Sequence, residues 1–142
     1  PAADAEVTIL RRHHQGLDVH DPVAAGVRQV ASAADIERGR QAVGATRVDD
    51  VVLQYMVALT RATRETPSVA LGVSPRGAAA LLHATKAWAW LSGRDFVTPD
   101  DVKAVAKPAL RHRLQIRAEA ALEGLTPDRV VDSLLATVPS PR

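Results

Sequence analysis

Three Ser/Thr-Pro pairs constrain the fold of this 142-residue chain more than any other feature of its sequence. Ser74-Pro75, Thr98-Pro99 and Thr126-Pro127 each precede a segment in which apolar residues recur at helical spacing. A Ser or Thr hydroxyl accepts a hydrogen bond from a free amide at a helix start, and proline fits the first helical position. Each pair therefore predicts the beginning of a helix.

Further helix starts are predicted at Asp4, Ser32 and Asp49. Ser32 followed by Asp35 approximates a capping box, in which each residue satisfies an amide of the other. After Asp49, apolar residues recur with a helical period, which predicts one buried stripe. The members of this stripe are Val51, Val52, Tyr55, Met56 and Leu59.

Extended segments are few. Val27–Val30, which follows a predicted turn at Val19–Val23, and Leu114–Arg117 could each form a short strand, and we predict that these two strands pair. Ser68–Val73 is predicted to be a loop. The expected fold class is therefore mainly α, a small helical bundle with at most a short two-stranded β element.

Composition fits one domain over residues 1–142, with an ordered core from about residue 4 to 138. The chain is 46% hydrophobic and only 3% aromatic, so Ala, Val and Leu must build the core. The absence of cysteine excludes thiol catalysis and fits a reducing cytoplasm. No apolar run approaches the ~20 residues of a membrane span. Because the chain begins at Pro1, we expect further sequence upstream.

The sequence lacks the motifs of a complete nucleotide-hydrolysing or metal-binding site. It contains no Gly-x-x-x-x-Gly-Lys-Ser/Thr loop to bind phosphates, and its five histidines form no His-x-x-x-His pair. Asp100 and Asp101 are adjacent acids, but they lie in the first turn of a predicted helix. Carboxylates there interact favourably with the free amides and with the helix dipole, which explains the pair without catalysis. We therefore expect no metal site, and no ATP hydrolysis by this chain alone.

Arg76 is the residue whose position most suggests a function. If Ser74 caps the helix, Arg76 is the second helical residue, where a cation opposes the helix dipole. Free amides together with a guanidinium form a suitable anion site, and Gly77 removes side-chain bulk beside it. The alternative is a solvated arginine paired with a nearby acid such as Glu65.

Several motifs, in this order and spacing, resemble the lid domain of MoxR-family AAA+ ATPases. The central ones are Gly72–Ala78, Leu81-Leu82 and Gly93–Val102. Tyr55–Arg64, Leu110–Leu114 and Val138–Arg142 are also similar to the family pattern. The resemblance covers the chain from about Asp4 to its last residue.

The resemblance implies that Arg76 is the sensor-2 arginine, which reaches from the lid to the γ-phosphate of ATP in a neighbouring core domain. Ser74 and Gly77 are predicted to bind with it. Val51 and Tyr55 are predicted to lie against the adenine, with core packing as the alternative. The upstream core domain would hold the ATP and its Mg²⁺, so the full-length parent is expected to be an ATP hydrolase.

The same resemblance implies a cytoplasmic, oligomeric and specifically hexameric motor that acts as a chaperone. Its partners would be its own upstream AAA+ core, neighbouring subunits of the homo-oligomer, and proteins with a von Willebrand factor A domain. Its task would be the maturation of target protein complexes. Arg61 and Arg64 could face a neighbouring subunit or the nucleotide, or form a solvated helix edge.

Two other functions remain open at the level of sequence. Fifteen arginines against three lysines suggest a helical nucleic-acid-binding domain, but Lys86 is the only cation in the middle of the helix that follows Ser74. A recognition helix needs several polar side chains to reach base edges. The other possibility is a helical interaction module without catalysis. Trp88 and Trp90 cannot share a helix face, so one is expected in the core and the other at a domain contact.

Overall fold

The structure is a computed structural model, and it describes residues 1–18 and 20–141. Val19, where the predicted turn begins, and Arg142, the last residue of the C-terminal motif, lie outside the described residues. The helices are α1 (Ala3–His14), α2 (Ala33–Ala45), α3 (Asp50–Glu65), α4 (Pro75–Leu91), α5 (Pro99–Leu110), α6 (Ala118–Leu122) and α7 (Pro127–Thr137). The strands are β1 (Val69–Leu71) and β2 (Gln115–Ile116), and a 3-10 turn covers Arg111–Arg113. The predicted fold class, mainly helical with one small β element, is confirmed.

The structure divides into two compact units, residues 1–38 and residues 39–142. Among the described residues of the first unit, none is buried. Within it, the capping box at Ser32 is confirmed, because Asp35 accepts from the Ser32 amide at 2.7 Å and donates its own amide to Ser32 Oγ at 3.1 Å. The predicted cap at Asp4 is wrong, since Asp4 lies inside α1 and Ala2 precedes the helix.

The second unit contains the hydrophobic core. Leu81 from α4 and Val102 and Ala106 from α5 are fully buried at its centre. The predicted stripe on α3 supplies Val52, Tyr55, Met56 and Leu59, whereas Val51 points outward and is 53% exposed. Burial of such side chains contributes roughly 1.5–3 kcal/mol each, so this unit has its own stabilising core.

All three Ser/Thr-Pro helix starts are confirmed. The hydroxyl of Ser74 accepts from the Gly77 amide, that of Thr98 from the Asp101 amide, and that of Thr126 from the Arg129 amide, at 3.3 to 3.4 Å. Asp49 also occupies the residue before a helix, but its side chain makes no capping hydrogen bond. The proline-containing pairs therefore predicted the caps better than the lone acid did.

The predicted strand pairing is wrong in one partner. Strand β2 lies inside the predicted Leu114–Arg117 segment, but it pairs antiparallel with β1, which falls in the segment predicted to be a loop. Val27–Val30 forms no strand, and Val30 is 95% exposed. A three-residue strand is too short for its alternation of buried and exposed side chains to be recognised in a sequence.

Two features of the helices also differ from expectation. A proline inside a helix removes a backbone hydrogen bond and favours an end or a kink, yet α5 continues past Pro108 to Leu110, which is buried. The carbonyl that loses its partner belongs to Ala104, on the exposed side of the helix where water can reach it. The short helix α6 was not predicted. None of the described helices is both long and apolar enough to cross a membrane.

Neither tryptophan is a core residue. Trp88 is 47% exposed and Trp90 is 40% exposed, because Thr85 and Ala89 occupy the buried face of that part of α4. The ring of Trp90 packs over Gly39 of α2, 3.4 Å from where a Cβ atom would stand. The expectation that one tryptophan lies in the core is therefore wrong.

Candidate functional site

Arg76 is the second residue of α4, and its side chain is exposed. Within the described part of the chain, its guanidinium has no hydrogen bond and no ion pair. The alternative partner considered from the sequence, Glu65, instead pairs with Arg61 at 3.6 Å on the surface of α3. Arg76 is therefore a cation without a counter-charge at the start of a helix.

The amides around Arg76 are more fully used than the sequence suggested. Pro75 has no N–H, the Gly77 amide donates to Ser74 Oγ at 3.3 Å, and the Ala78 amide donates to the Ser74 carbonyl at 3.1 Å. In the first turn of α4 as described, only the Arg76 amide has no acceptor. An anion here would therefore be bound mainly by the guanidinium, and the Ser74 hydroxyl serves to cap the helix.

Gly77 is required by close packing. A Cβ atom at this position would stand 2.5 Å from Cγ1 of Val73 and 3.4 Å from Cδ of Arg113. Gly77 is buried, so its contribution is to let the first turn of α4 lie directly on Val73. The sequence had assigned Gly77 to the binding of an anion, and the structure adds this packing reason for glycine.

The last turn of α3 holds the segment that leads into α4. Arg64 Nη1 donates to the Val73 carbonyl at 2.6 Å, and the Val73 amide donates to Thr63 Oγ1 at 2.9 Å. Arg64 is exposed at the edge of α3, and its guanidinium also contacts the segment just before Ser74. Sequence reasoning gave Thr63 no role, since a threonine within a helix carries no signal of such a contact.

Val51 and Tyr55 lie towards the other end of α3. Tyr55 is nine residues before Arg64, about 13 Å along the helix, so the structure does not bring these two residues together with Arg76. Tyr55 is 3% exposed, and its buried hydroxyl has no hydrogen-bond partner among the described residues. Burial raises the pKa of this phenol. Both side chains line a groove that also includes Pro139–Pro141.

A second arginine, Arg94, forms an ion pair that the sequence did not reveal. It donates through both terminal nitrogens to Asp101, at 2.6 and 2.5 Å, and Asp101 also accepts from the Thr98 amide at 2.8 Å. Hydrogen bonding to Arg94 is the main cause that lowers the pKa of Asp101 from 3.8 to about 2. The neighbouring Asp100 is exposed and pairs with Lys103. Asp101 therefore stabilises the fold.

No cluster of three or more His, Cys, Asp or Glu residues suited to a metal ion occurs in residues 1–18 and 20–141. At the start of α4, the groups that could bind an anion are the Arg76 guanidinium and the Arg76 amide. An ATP phosphate fits these donors in charge and chemistry, because both donate hydrogen bonds and one is a cation.

Comparison with known proteins identifies the family. Residues 61–134, slightly more than half of the chain, match the AAA lid domain family. A Bacillus subtilis protein of uncharacterized function, YeaC, is 42% identical over 95 residues, covering 67% of this chain and 30% of YeaC. Chaperone MoxR1 of Mycobacterium tuberculosis is 31% identical over 151 aligned positions, covering 100% of this chain and 38% of MoxR1.

A solved structure shares the fold. A Cytophaga hutchinsonii protein determined by crystallography, and provisionally described as an ATPase, superposes with a TM-score of 0.75 at 25% identity. The match covers 99% of this chain and 44% of that protein. The chain thus spans less than half the length of each of these relatives. It belongs to the AAA lid domain family and corresponds to the C-terminal lid domain of a MoxR-type AAA+ ATPase.

Proposed function

We propose that this lid supplies Arg76 as the sensor-2 arginine of an ATP-hydrolysing MoxR-type protein. The observation that carries the proposal is that Arg76 is exposed at the start of α4 with no partner in the described chain. A cation in the first helical turn costs roughly 0.3–1 kcal/mol against the helix dipole. An anion brought by another domain would remove that cost.

The role of Arg76 follows from its charge and its position. Held near the γ-phosphate, its guanidinium would stabilise the negative charge on the transferring phosphoryl oxygens. ATP and Mg²⁺ would be held by the core domain, and Arg76 would be the lid's contribution. Because Arg76 is fixed to α4, contact with a phosphate would also couple the position of the lid to the bound nucleotide.

The test is the rate of ATP hydrolysis by the full-length protein carrying Arg76→Ala. We expect kcat to fall by at least ~10-fold, because an arginine at the transferring phosphate stabilises the transition state. The matched control is Arg129→Ala, which removes an exposed arginine from the first turn of another Ser/Thr-Pro helix, α7. Wild-type turnover in Arg76→Ala would refute the sensor-2 assignment.

We also propose that the full-length protein is a cytoplasmic hexamer with a chaperone function, acting on target complexes together with von Willebrand factor A domain proteins. The similarity to a relative named as a chaperone supports the proposed chaperone function. Light scattering of the full-length protein with and without ATP tests the oligomer, and a mass other than six subunits would contradict it.

Co-purification tests the partner. We expect the full-length protein to co-purify with a von Willebrand factor A domain protein of the same cell, and we expect this association to be lost without ATP.

A further inference from the structure

We propose that Thr63 and Arg64 are positioning residues for Arg76, acting through the backbone of Val73. The proposal rests on the proposed function of Arg76. The two side chains are adjacent on the last turn of α3, and each binds one of the two polar backbone groups of Val73. We call Thr63, Arg64 and Val73 the Val73 clamp.

The Thr63 half of the clamp is fully buried. Thr63 is 0% exposed, and its hydroxyl donates to the Thr60 carbonyl at 2.6 Å while it accepts from the Val73 amide at 2.9 Å. Since a hydroxyl has one hydrogen to donate, the bond to Thr60 aims its lone pairs at Val73. The position of the Val73 amide is therefore set by the backbone of α3.

The Arg64 half of the clamp binds the backbone carbonyl of Val73. Arg64 Nη1 donates to the Val73 carbonyl at 2.6 Å. The preceding residue, Gly72, lies so close to α3 that an added Cβ would stand 2.7 Å from the Arg64 backbone nitrogen. The chain before α4 is thus pressed against the last turn of α3 as well as hydrogen-bonded to it.

Few free torsions separate the clamp from Arg76. Val73 is 0% exposed and contacts Gly77 one helical turn ahead, Ser74 caps the helix, and proline fixes φ at Pro75. A shift of Val73 would therefore move the first turn of α4 as a unit. Misplacing a group at a reacting centre by 1 Å can lower the rate ~100-fold. Loss of the clamp could therefore lower the rate of ATP hydrolysis by displacing Arg76.

The activity test compares three threonine variants in the full-length protein. Thr63→Val removes the hydroxyl and keeps the shape, and we expect kcat for ATP to fall about 10-fold. Thr63→Ser restores the hydroxyl and should stay within about 2-fold of wild type. The control is Thr85→Val, because Thr85 is equally buried but bonds only the Leu81 carbonyl of its own helix.

A double mutant separates positioning from a general loss of stability. If Thr63 acts through Arg76, Thr63→Val should cause no further loss of kcat in an Arg76→Ala background. An equal additional loss in that background would overturn the proposal, as would a fall in Thr85→Val as large as that in Thr63→Val.

Hydrogen exchange tests the clamp without ATP. In Thr63→Val, the amides of Val73 and Gly77 should exchange at least about 5-fold faster than in wild type, with no such change in Thr85→Val. Unchanged exchange would overturn the clamp, even if Arg76 proves essential. A different pair of results would separate the two proposals. Full turnover in Arg76→Ala would refute the sensor-2 role and, with it, the positioning of a catalytic arginine. Faster exchange in Thr63→Val would still show that the clamp is a structural contact.

Discussion

The starts of α4 and α5 are built from the same local pattern but use an arginine in opposite ways. Both have a hydroxyl cap followed by proline. At α5, the third helical residue is Asp101, which accepts from the cap and from Arg94 and is 3% exposed. At α4, the third helical residue is Gly77, no acid lies in the first turn, and Arg76 is exposed without a partner in the described chain.

The difference separates an arginine used for folding from one available for function. Arg94 forms an intramolecular pair, so removing it or its partner should affect stability. Arg76 has no intramolecular partner in the described chain and opposes the helix dipole, so removing it should lower activity and change the free energy of unfolding only slightly. Variants at these two helix starts test the contrast, and the largest change in the free energy of unfolding is expected at Asp101.

Asp101→Asn should destabilise the chain most, by about 3 kcal/mol, because it leaves Arg94 without its carboxylate. The estimate is at the low end for a broken buried pair, since the Arg94 side chain is 31% exposed and water screens it. Urea unfolding measures the change. Asp100→Asn is the matched control in the same turn, and it should change stability by less than about 0.5 kcal/mol. Equal effects of the two variants would mean that the Arg94 pair is not a stabilising contact.

Gly77→Ala should destabilise by about 2 kcal/mol, because the added methyl would stand 2.5 Å from Val73 in a packed region. The control is Gly44→Ala in α2, where an added Cβ meets nothing within 4 Å. Alanine favours helices over glycine, so this control should stabilise by up to about 1 kcal/mol. Thermal unfolding of both variants measures the two changes in stability. If Gly77→Ala leaves the stability unchanged, Val73 can move away from the added methyl.

Acid should reduce the contribution of the Asp101 carboxylate to the free energy of unfolding. Its pKa is about 2 in the fold against an ordinary 3.8, so between these values the unfolded chain binds more protons and stability rises with pH. This contribution is complete above about pH 4 and is lost as the pH falls through 2. Between pH 4.5 and 2.5, the stability gap between wild type and Asp101→Asn should narrow by about 1.5 kcal/mol. A gap that does not change with pH would contradict the lowered pKa.

Arg76→Ala should have the smallest effect on folding, a gain of about 0.3 kcal/mol, because it removes a cation from the positive end of a helix. The gain should shrink in high salt, which screens exposed charges. Urea unfolding at low and high salt measures it. A loss of more than 1 kcal/mol would show that Arg76 has a structural partner and would remove the contrast with Arg94.

The parts of the fold that the sequence predicted are those determined by local chemistry. The caps at Ser74, Thr98 and Thr126 follow from residue type and spacing alone and are confirmed, and so is the stripe on α3 except for Val51, which is exposed. The partner of β2 could not be predicted, because β1 has only three residues and lies far from β2 along the chain.

The candidate site was predicted in its centre but not in its surroundings. The motif around Arg76 pointed to an exposed cation, and Arg76 is exposed. The contacts of Val73 with Thr63 and Arg64 join residues nine and ten positions apart, and no spacing rule predicts them. The number of free amides was overestimated, because the sequence does not show that Ser74 uses two of them.

The two half-exposed tryptophans give the lid a natural optical probe. Trp88 and Trp90 lie on the last turn of a helix whose first turn carries Arg76, about 20 Å away along the axis. Indole emission shifts to shorter wavelength when a neighbouring surface excludes water, and the chain contains no tryptophan besides these two. Fluorescence can therefore follow any contact made at that end of α4 in real time, without a chemical label.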